Sequence, residues 1–455
     1  MPVPSPERAD LDPPAEVVRI ARRLEEAGFS TWAVGGGVRD ALAGIPPGDW
    51  DLTTAARPGD VRRLFRRTVP VGIAHGTVGV VGKDGVMYEV TTFRRDVETD
   101  GRHARVRFAD RVEEDLERRD FTINAVAWHP LTREVRDPHG GVRDLQAGVL
   151  RTVGDPRERF REDRLRVLRA LRFAARFGLR IDPATWQAAR EMASELPHLS
   201  AERVREELLK VLREVEPPSQ ALRLYEASGA LASLYPELQA CVGVEDEGGQ
   251  EVWTHLLRTA DEVPRRRVPL RLVGLLHDVG KPGVREVTDG GVRFPGHAQA
   301  GAALARELMR RLRCSNAEVD HAVHLVAQHA DLPRADAPAP ELRRWLRRVG
   351  RGYVRDLLRL CAAAARARGE AGRARLEELL ALERRVRREL AGNPPLEVGD
   401  LAVGGEELRA LGIAPGPRYG EILRALLERV TDDPSLNTPE RLAPLLRALA
   451  AGDDA

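Results

Sequence analysis

The sequence predicts an α+β fold, with a small mixed-sheet head over residues 1–148 and an all-helical remainder. Three observations carry this reading. Runs rich in valine and threonine, Thr77 to Val81 and Val86 to Thr92, read as strands joined by the Lys83-Asp84-Gly85 turn. From about Pro156 the apolar residues recur at helical spacing, as in Leu165, Leu168, Leu171 and Ala175. Pro217-Pro218 and Pro394-Pro395 then break the helical part into further pieces.

Along the chain, Val17, Ile20, Ala21 and Leu24 mark a first helix that Gly28 stops. Thr31 to Val34 reads as a short strand, ending at Gly35-Gly36-Gly37, with a helix beginning at Val38-Arg39-Asp40. Arg94 to Arg118 is polar and turn-rich and reads as a loop. Arg161 opens a neck helix, and Val204, Leu208, Val211 and Leu212 mark another after Ser200 as N-cap. The expected divisions are a head (1–148), a neck (149–216), a body (217–340) and a tail (341–455).

A chain of 455 residues is too long for one core, and 42% hydrophobic with 31% charged residues excludes wholesale disorder. No run of eighteen apolar residues occurs, and Met1 to Pro14 lacks a basic region followed by an apolar stretch. Neither a membrane helix nor a signal peptide is expected. Three scattered cysteines, Cys241, Cys314 and Cys361, give no disulfide framework and fit a reducing cytoplasm. With a net charge of +2, nucleic-acid binding must come from local patches.

The chemistry begins at the glycine turn. A strand-to-helix turn of glycines lets backbone amides approach a phosphate; a tight turn without a ligand is the alternative. Asp49-Trp50-Asp51 follows, and residues two apart in a strand project to one side, so Asp49 and Asp51 are candidates to hold Mg2+ together. Such a pair suits phosphoryl transfer, in which metal steadies the triphosphate. Glu89, on the neighbouring strand, is a candidate third catalytic acid or a surface glutamate.

Gly35-Gly36-x-Val38-Arg39-Asp40 followed by Asp49-x-Asp51 resembles the active site of the DNA polymerase beta-like nucleotidyltransferases. More narrowly, it is similar to class II tRNA nucleotidyltransferases and bacterial poly(A) polymerases. Arg118-Arg119-Asp120-Phe121-Thr122-Ile123-Asn124-Ala125 resembles the family's ribose- and phosphate-contacting segment, and Asp137-Pro138-x-Gly140-Gly141 its head-to-neck hinge. The resemblance implies a polymerase beta-like head, with Gly36, Arg39, Arg119, Asp120 and Asn124 at the nucleotide. It also implies tRNA, CTP and ATP as partners. The Arg94 to Arg118 segment sits where members adding the terminal A carry a flexible loop, and its length favours complete CCA addition. Here the chain departs from the family's usual aromatic residue and Arg-Pro.

In the neck, Asp163 and Arg166 are three apart, so they share a helical face. Cytosine and adenine both present an amino donor beside a ring-nitrogen acceptor, which a carboxylate and a guanidinium complement. Uracil and guanine reverse the pattern and leave buried groups unpaired. An ordinary salt bridge is the alternative. Glu162-Asp163-x-x-Arg166 is similar to the family's nucleotide-selecting motif, which implies that Glu162 orients Arg166; Arg169 follows on the same arginine-rich helix.

His255, then His277-Asp278-Val279-Gly280-Lys281, resemble an HD-type metal phosphohydrolase signature, with His297 and His329 as further ligands and Asp331 the weakest candidate. The resemblance implies a second divalent metal and a phosphatase or cyclic phosphodiesterase activity; a scaffold that has lost its metal is the alternative. In the tail, the Gly/Pro loop Leu411 to Pro417 resembles the segment by which long class II enzymes reach tRNA. The expected activity is addition of CMP and AMP to the 3′ end of tRNA, releasing pyrophosphate. The rivals are an enzyme adding only the final A, a poly(A) polymerase, and an HD hydrolase or RNA-binding scaffold with an inactive head.

Overall fold

A computed structural model of the chain describes residues 7–73, 76–99 and 104–451. They divide into two compact units, residues 1–211 with 220–234, and residues 212–219 with 235–455.

The first unit opens with α1 (Ala15–Glu26), β1 (Thr31–Val34), α2 (Gly36–Leu42), β2 (Asp51–Thr54), α3 (Pro58–Leu64), β3 (Thr68–Gly72), β4 (Thr77–Val81) and β5 (Met87–Thr92). It continues through β6 (Arg94–Thr99), β7 (Ala104–Phe108), α4 (Val112–Glu117), β8 (Ala127–Trp128), β9 (Val135–Arg136) and α5 (Gly141–Gln146). Seven strands form one mixed sheet in the order β3-β4-β5-β2-β1-β8-β9. β1 is buried on both faces because alternate residues feed different cores: Ala33 packs with Ile20, Leu24 and Leu52, and Trp32 and Val34 pack with Phe93 and Leu116. β2 runs antiparallel to β1, with Val34 opposite Asp51, and parallel to β5, with Leu52 opposite Val90. That register brings the ends of three strands to the Gly35 turn.

The segment read as a loop is in fact the antiparallel β6–β7 pair, Arg94 opposite Phe108 and Thr99 opposite Ala104, followed by α4. In β7 Ala104, Val106 and Phe108 do alternate with Arg105 and Arg107, but β6 is almost wholly polar, and the charge of the segment masked the short pattern. Of the turn Asp100-Gly101-Arg102, all three residues lie outside the described residues.

Helices α6 (Pro156–Glu162), α7 (Leu165–Phe177), α8 (Pro183–Glu191) and α9 (Ala201–Glu214) follow. The break between α6 and α7 departs from the single helix expected here. Asp163 is extended (φ −153°, ψ 104°), and its Oδ1 accepts from the Leu165 backbone N–H at 3.0 Å, capping α7. Arg172 on α7 and Glu207 on α9, both almost fully buried, pair at 2.8 Å. Helices α10 (Ser219–Ser228) and α11 (Ala230–Leu234) finish the unit, with Leu222, Tyr225 and Leu231 fully buried.

The second unit is helical. After α12 (Pro236–Gln239) come α13 (Val252–Glu262), α14 (Val268–Leu276), α15 (His297–Arg311), α16 (Asn316–Gln328), α17 (Ala339–Val349), α18 (Arg351–Ala367) and α19 (Arg373–Ala391). Gly280 makes the packing after α14 close: a Cβ there would lie 2.2 Å from the His297 carbonyl oxygen and 2.3 Å from the Gly301 nitrogen. A smaller core of Leu408, Leu426, Val430 and Leu442 closes the C-terminal part.

Candidate active site and metal centre

Gly35 ends β1 at φ +75°, a conformation that favours glycine, and a Cβ on it would stand 3.3 Å from Arg119 Nη1 and 3.6 Å from Asp51 Oδ2. Gly37, two residues on, faces the chain before β2: its Cβ would fall 2.6 Å from the Asp49 carbonyl oxygen. Two glycines thus let α2 lie against the segment carrying both aspartates. The strand itself starts at Asp51, so Asp49 precedes it and is exposed. The expectation that a strand's alternation aligns the pair therefore does not hold.

Asp51 is half-buried, and its carboxyl is pushed up to about 6. Burial is the main cause, followed by the charge of Glu89; Arg119 opposes the rise and Asp49 adds to it. The excess of negative charge at a partly desolvated point is what a divalent cation relieves, so these acids fit Mg2+. They are not drawn up into a preformed cage. Among the described residues, the only groups of three or more His, Cys, Asp or Glu ligand atoms within 4.8 Å of one another lie in the second unit.

Behind the aspartates runs a buried polar network. Arg39 donates to Asn124 Oδ1 at 2.6 Å and to Asp40 Oδ1, and its guanidinium lies over the Phe173 and Phe177 rings at 5.0 and 4.5 Å. Asn124 Nδ2 donates to Asp120 Oδ1 at 2.9 Å, and Arg169 pairs with Asp120 Oδ2 at 2.7 Å. Although burial raises it, the Asp120 carboxyl is brought down to about 2 by Arg169, Asn124 and Arg166. Arg119 is held by Asp115 at 3.1 Å and by the Asn124 carbonyl at 3.2 Å. Gly36, the first residue of α2, has only Arg39 near it.

Asp163 and Arg166 do not pair. Arg166 Nη1 donates to Glu162 Oε2 at 2.5 Å and to the Arg159 carbonyl, and Nη2 donates to the Arg118 carbonyl at 3.1 Å. Asp163 Oδ2 instead accepts from Arg203 Nη2 on α9 at 2.7 Å. Sequence reasoning missed Arg203. It lies forty residues beyond its partner, and only the helix break at Asp163 brings them together.

In the second unit, His255 on α13, His277 and Asp278 after α14, His297 at the start of α15 and His329 at the end of α16 converge. The Nδ1 atoms of His277, His297 and His329 lie 2.9, 3.0 and 2.7 Å from the carbonyls of Gly274, Phe294 and Val326. Each Nδ1 therefore donates and each Nε2 faces inward, and the hydrogen bond to Asp278 holds His297 above the ordinary imidazole value. Burial holds His255 down at about 2 and His277 at about 4, and both stay neutral ligands. Asp278 stays ionised, its carboxyl held well below the usual range by His277, His297, His329 and Lys281 against the effect of burial. Imidazoles aimed at one carboxylate fit a divalent cation. Asp331 is not part of this cluster, because its carboxylate takes Arg348 at 2.7 Å.

Three stretches of the chain match known families. Residues 31–151 match the "Poly A polymerase head domain", residues 178–241 the "Probable RNA and SrmB- binding site of polymerase A", and residues 250–381 the "HD domain". The chain is 36% identical over 415 residues to the A-adding tRNA nucleotidyltransferase of Deinococcus radiodurans, covering 87% of this chain and 90% of that protein. It is 33% identical over 439 residues to the CCA-adding enzyme of Geobacillus stearothermophilus, covering 95% and 96%. A match to the CCA-adding enzyme of Anoxybacillus flavithermus is 45% identical over 199 residues, and covers 43% of this chain and half of that protein. The crystal structure of Bacillus stearothermophilus CCA-adding enzyme in complex with CTP superposes with a TM-score of 0.74 at 32% identity, covering 97% of this chain and 99% of that one.

Proposed function

The chain belongs to the bacterial tRNA nucleotidyltransferase family that contains the CCA-adding enzymes, and from that membership we propose that it adds CMP and AMP to the 3′ end of tRNA. CTP and ATP are the donors and pyrophosphate the product. The observation that carries the reading is the half-buried Asp51, crowded by Glu89 and Asp49 and faced by Arg119 at the Gly35 turn.

Asp49 and Asp51 would hold Mg2+, which when bound supplies charge stabilisation to the triphosphate as the tRNA 3′ hydroxyl displaces pyrophosphate. Arg119, whose charge already acts on Asp51, neutralises phosphate charge at the turn. Arg39, Asn124, Asp120 and Arg169 hold one another through buried hydrogen bonds, which fixes the floor on which the ribose is placed. A carboxylate offers about four acceptor positions, so Asp163 can keep Leu165 and Arg203 while accepting the amino group of cytosine or adenine. Arg166, held by Glu162, donates to the ring nitrogen. The head (1–148) carries the chemistry, the neck (149–216) selects the base and binds tRNA, the body (217–340) carries the HD cluster, and the tail (341–455) binds tRNA. No helix among the described residues is long and apolar enough to cross a membrane, and all three cysteines are free, which supports work in a reducing cytoplasm.

A second reading concerns the His255, His277, Asp278, His297 and His329 cluster, which supports a divalent metal and hydrolysis of phosphate esters. It lines a cavity of about 480 Å³ with Lys281, Arg368 and Arg375, three cations suited to a phosphate.

The test is incorporation with Mg2+ into tRNA transcripts ending before CCA, after C, or after CC, resolved at single-nucleotide length. Three ordered additions that then stop are expected, and Asp49→Ala with Asp51→Ala abolishes all of them. A single A added only to the CC-ended transcript makes the chain an A-adding enzyme, and a long ladder makes it a poly(A) polymerase. Ring opening of 2′,3′-cyclic nucleotides to nucleoside monophosphates, or release of phosphate from such monophosphates, lost in His277→Ala, is the corresponding test of the second reading.

A further inference from the structure

Helix α7 turns one stripe toward α2. Arg169, Phe173, Arg176 and Phe177 follow one another at spacings of four, three and one, which places them on one helical face. The Arg39 guanidinium lies over the rings of Phe173 and Phe177, 5.0 and 4.5 Å from their centres, and the two rings stack at 6.1 Å. Arg176 covers the Phe177 ring as well, at 4.8 Å. Asp40, buried beside them, divides its oxygens. Oδ1 accepts from Arg39 Nε at 2.8 Å and Nη2 at 2.5 Å, and Oδ2 accepts from Arg176 Nη2 at 3.3 Å.

Asn124 Oδ1 takes Arg39 Nη1 at 2.6 Å, so the guanidinium is held at both edges and on its face. It lies under the glycine turn: a Cβ on Gly36 would stand 3.7 Å from Arg39 Nη2. A cation in that place, only 4% exposed, acts on an arriving phosphate with little screening by water. Its aim is set by Phe177 and Arg176, in the last turn of α7. Phe177 is not enclosed in a core; it is half-buried and borders a cavity of about 420 Å³ with Leu42, Ile45 and Leu145. Arg166 sits eleven residues earlier on the same helix, about 16 Å along its axis. One rigid element thus gauges both the base end and the phosphate end of the nucleotide.

We propose that Phe177 and Arg176 are positioning residues of the transfer reaction, which hold the Arg39 guanidinium beneath the Gly36 turn where the triphosphate binds. The inference rests on the reading of the head as a nucleotidyltransferase. The triphosphate is common to both donors, so CTP and ATP are affected alike. The guanidinium is aimed at charge that builds up as pyrophosphate leaves, so a loss of aim lowers kcat and leaves KM nearly unchanged.

The test is single-nucleotide addition by the full chain, on transcripts ending before CCA with CTP and ending in CC with ATP. Phe177→Leu keeps the apolar bulk and removes the ring face. It is expected to lower kcat roughly tenfold to thirtyfold for each donor the parent uses, with KM within about twofold. Phe177→Tyr keeps the ring and should stay within about twofold of the parent. Arg176→Met should fall as Phe177→Leu does, and Arg176→Lys should recover part of that loss. If the effect runs through Arg39, then Arg39→Lys with Phe177→Leu loses no more than Arg39→Lys alone. Parental kcat in either Phe177→Leu or Arg176→Met overturns the proposal, as do losses that add to that of Arg39→Lys; both outcomes leave nucleotidyl transfer by the parent standing. A parent chain that adds no nucleotide removes both. Should Phe177→Leu melt well below the parent, Arg176→Met decides, since that side chain is 28% exposed.

Discussion

Asp163 has both carboxylate oxygens engaged by its own chain, one by the Leu165 amide and one by Arg203. Those bonds fix its orientation before any base arrives, which makes Arg203 a positioning residue. Replacing it with methionine keeps the stem and releases the carboxylate. We expect Arg203→Met to lower kcat/KM for CTP and ATP by roughly tenfold to a hundredfold, the cost of misplacing a group by about 1 Å. We also expect UMP misincorporation to rise, with partial recovery in Arg203→Lys; unchanged fidelity would leave Arg203 only bracing α9. Asp51 makes a second expectation at this scale. Its folded-state carboxyl, at about 6, is a weaker acid than the ordinary 3.8, so the folded chain binds more protons between those values. Stability from this group is accordingly present at low pH and lost as pH rises through that window. Mg2+ offsets the loss, so it should raise the melting temperature more at pH 7 than at pH 5. Asp51→Asn should remove that difference, and equal shifts at both pH values in the parent would exclude Asp51 as the ligand.

At the scale of elements, the neck is held by Arg172 on α7 and Glu207 on α9, a pair almost wholly removed from water. Breaking one side of such a pair leaves a buried charge, at a cost of about 3–5 kcal/mol. Glu207→Ala should lose that much in urea unfolding, whereas Arg172→Met with Glu207→Leu should recover most of it. The elements also show what could be read without coordinates. β1 and β4 were legible to the residue because valine and threonine runs bounded by glycine have few other uses. The β6–β7 pair was not, since β6 carries no apolar alternation and the five-residue alternation of β7 sits in a strongly charged stretch. The break at Asp163 was hidden for another reason: Arg161 to Arg166 has the composition of a continuous helix, and the partner that stabilises the break lies on α9. The acids, arginines and histidines of both centres could be picked out by type and order. Their pairings depended on three-dimensional register.

For the whole molecule, the division into two units does not follow the chain simply. Residues 212–219 belong to the second unit and 220–234 return to the first. Gly229 packs there against Ala193, and Leu222, Tyr225 and Leu231 are fully buried. Each such side chain contributes about 1.5–3 kcal/mol of burial. A fragment ending at residue 234 should therefore melt cooperatively, and one ending at residue 211 should melt several degrees lower or aggregate; equal melting of the two would show that α10 and α11 add nothing to the first unit.

The same interleaving sets an order of events on the ribosome. Between the emergence of residue 211 and that of residue 234, synthesis at roughly 5–20 residues per second takes about 1–5 s. During that interval the head and neck wait for their last two helices. Residues 212–219 meanwhile have left the tunnel ahead of every other part of their own unit. A nascent chain that pauses there exposes the apolar surface meant for Leu222, Tyr225 and Leu231, a surface of the kind that chaperones bind.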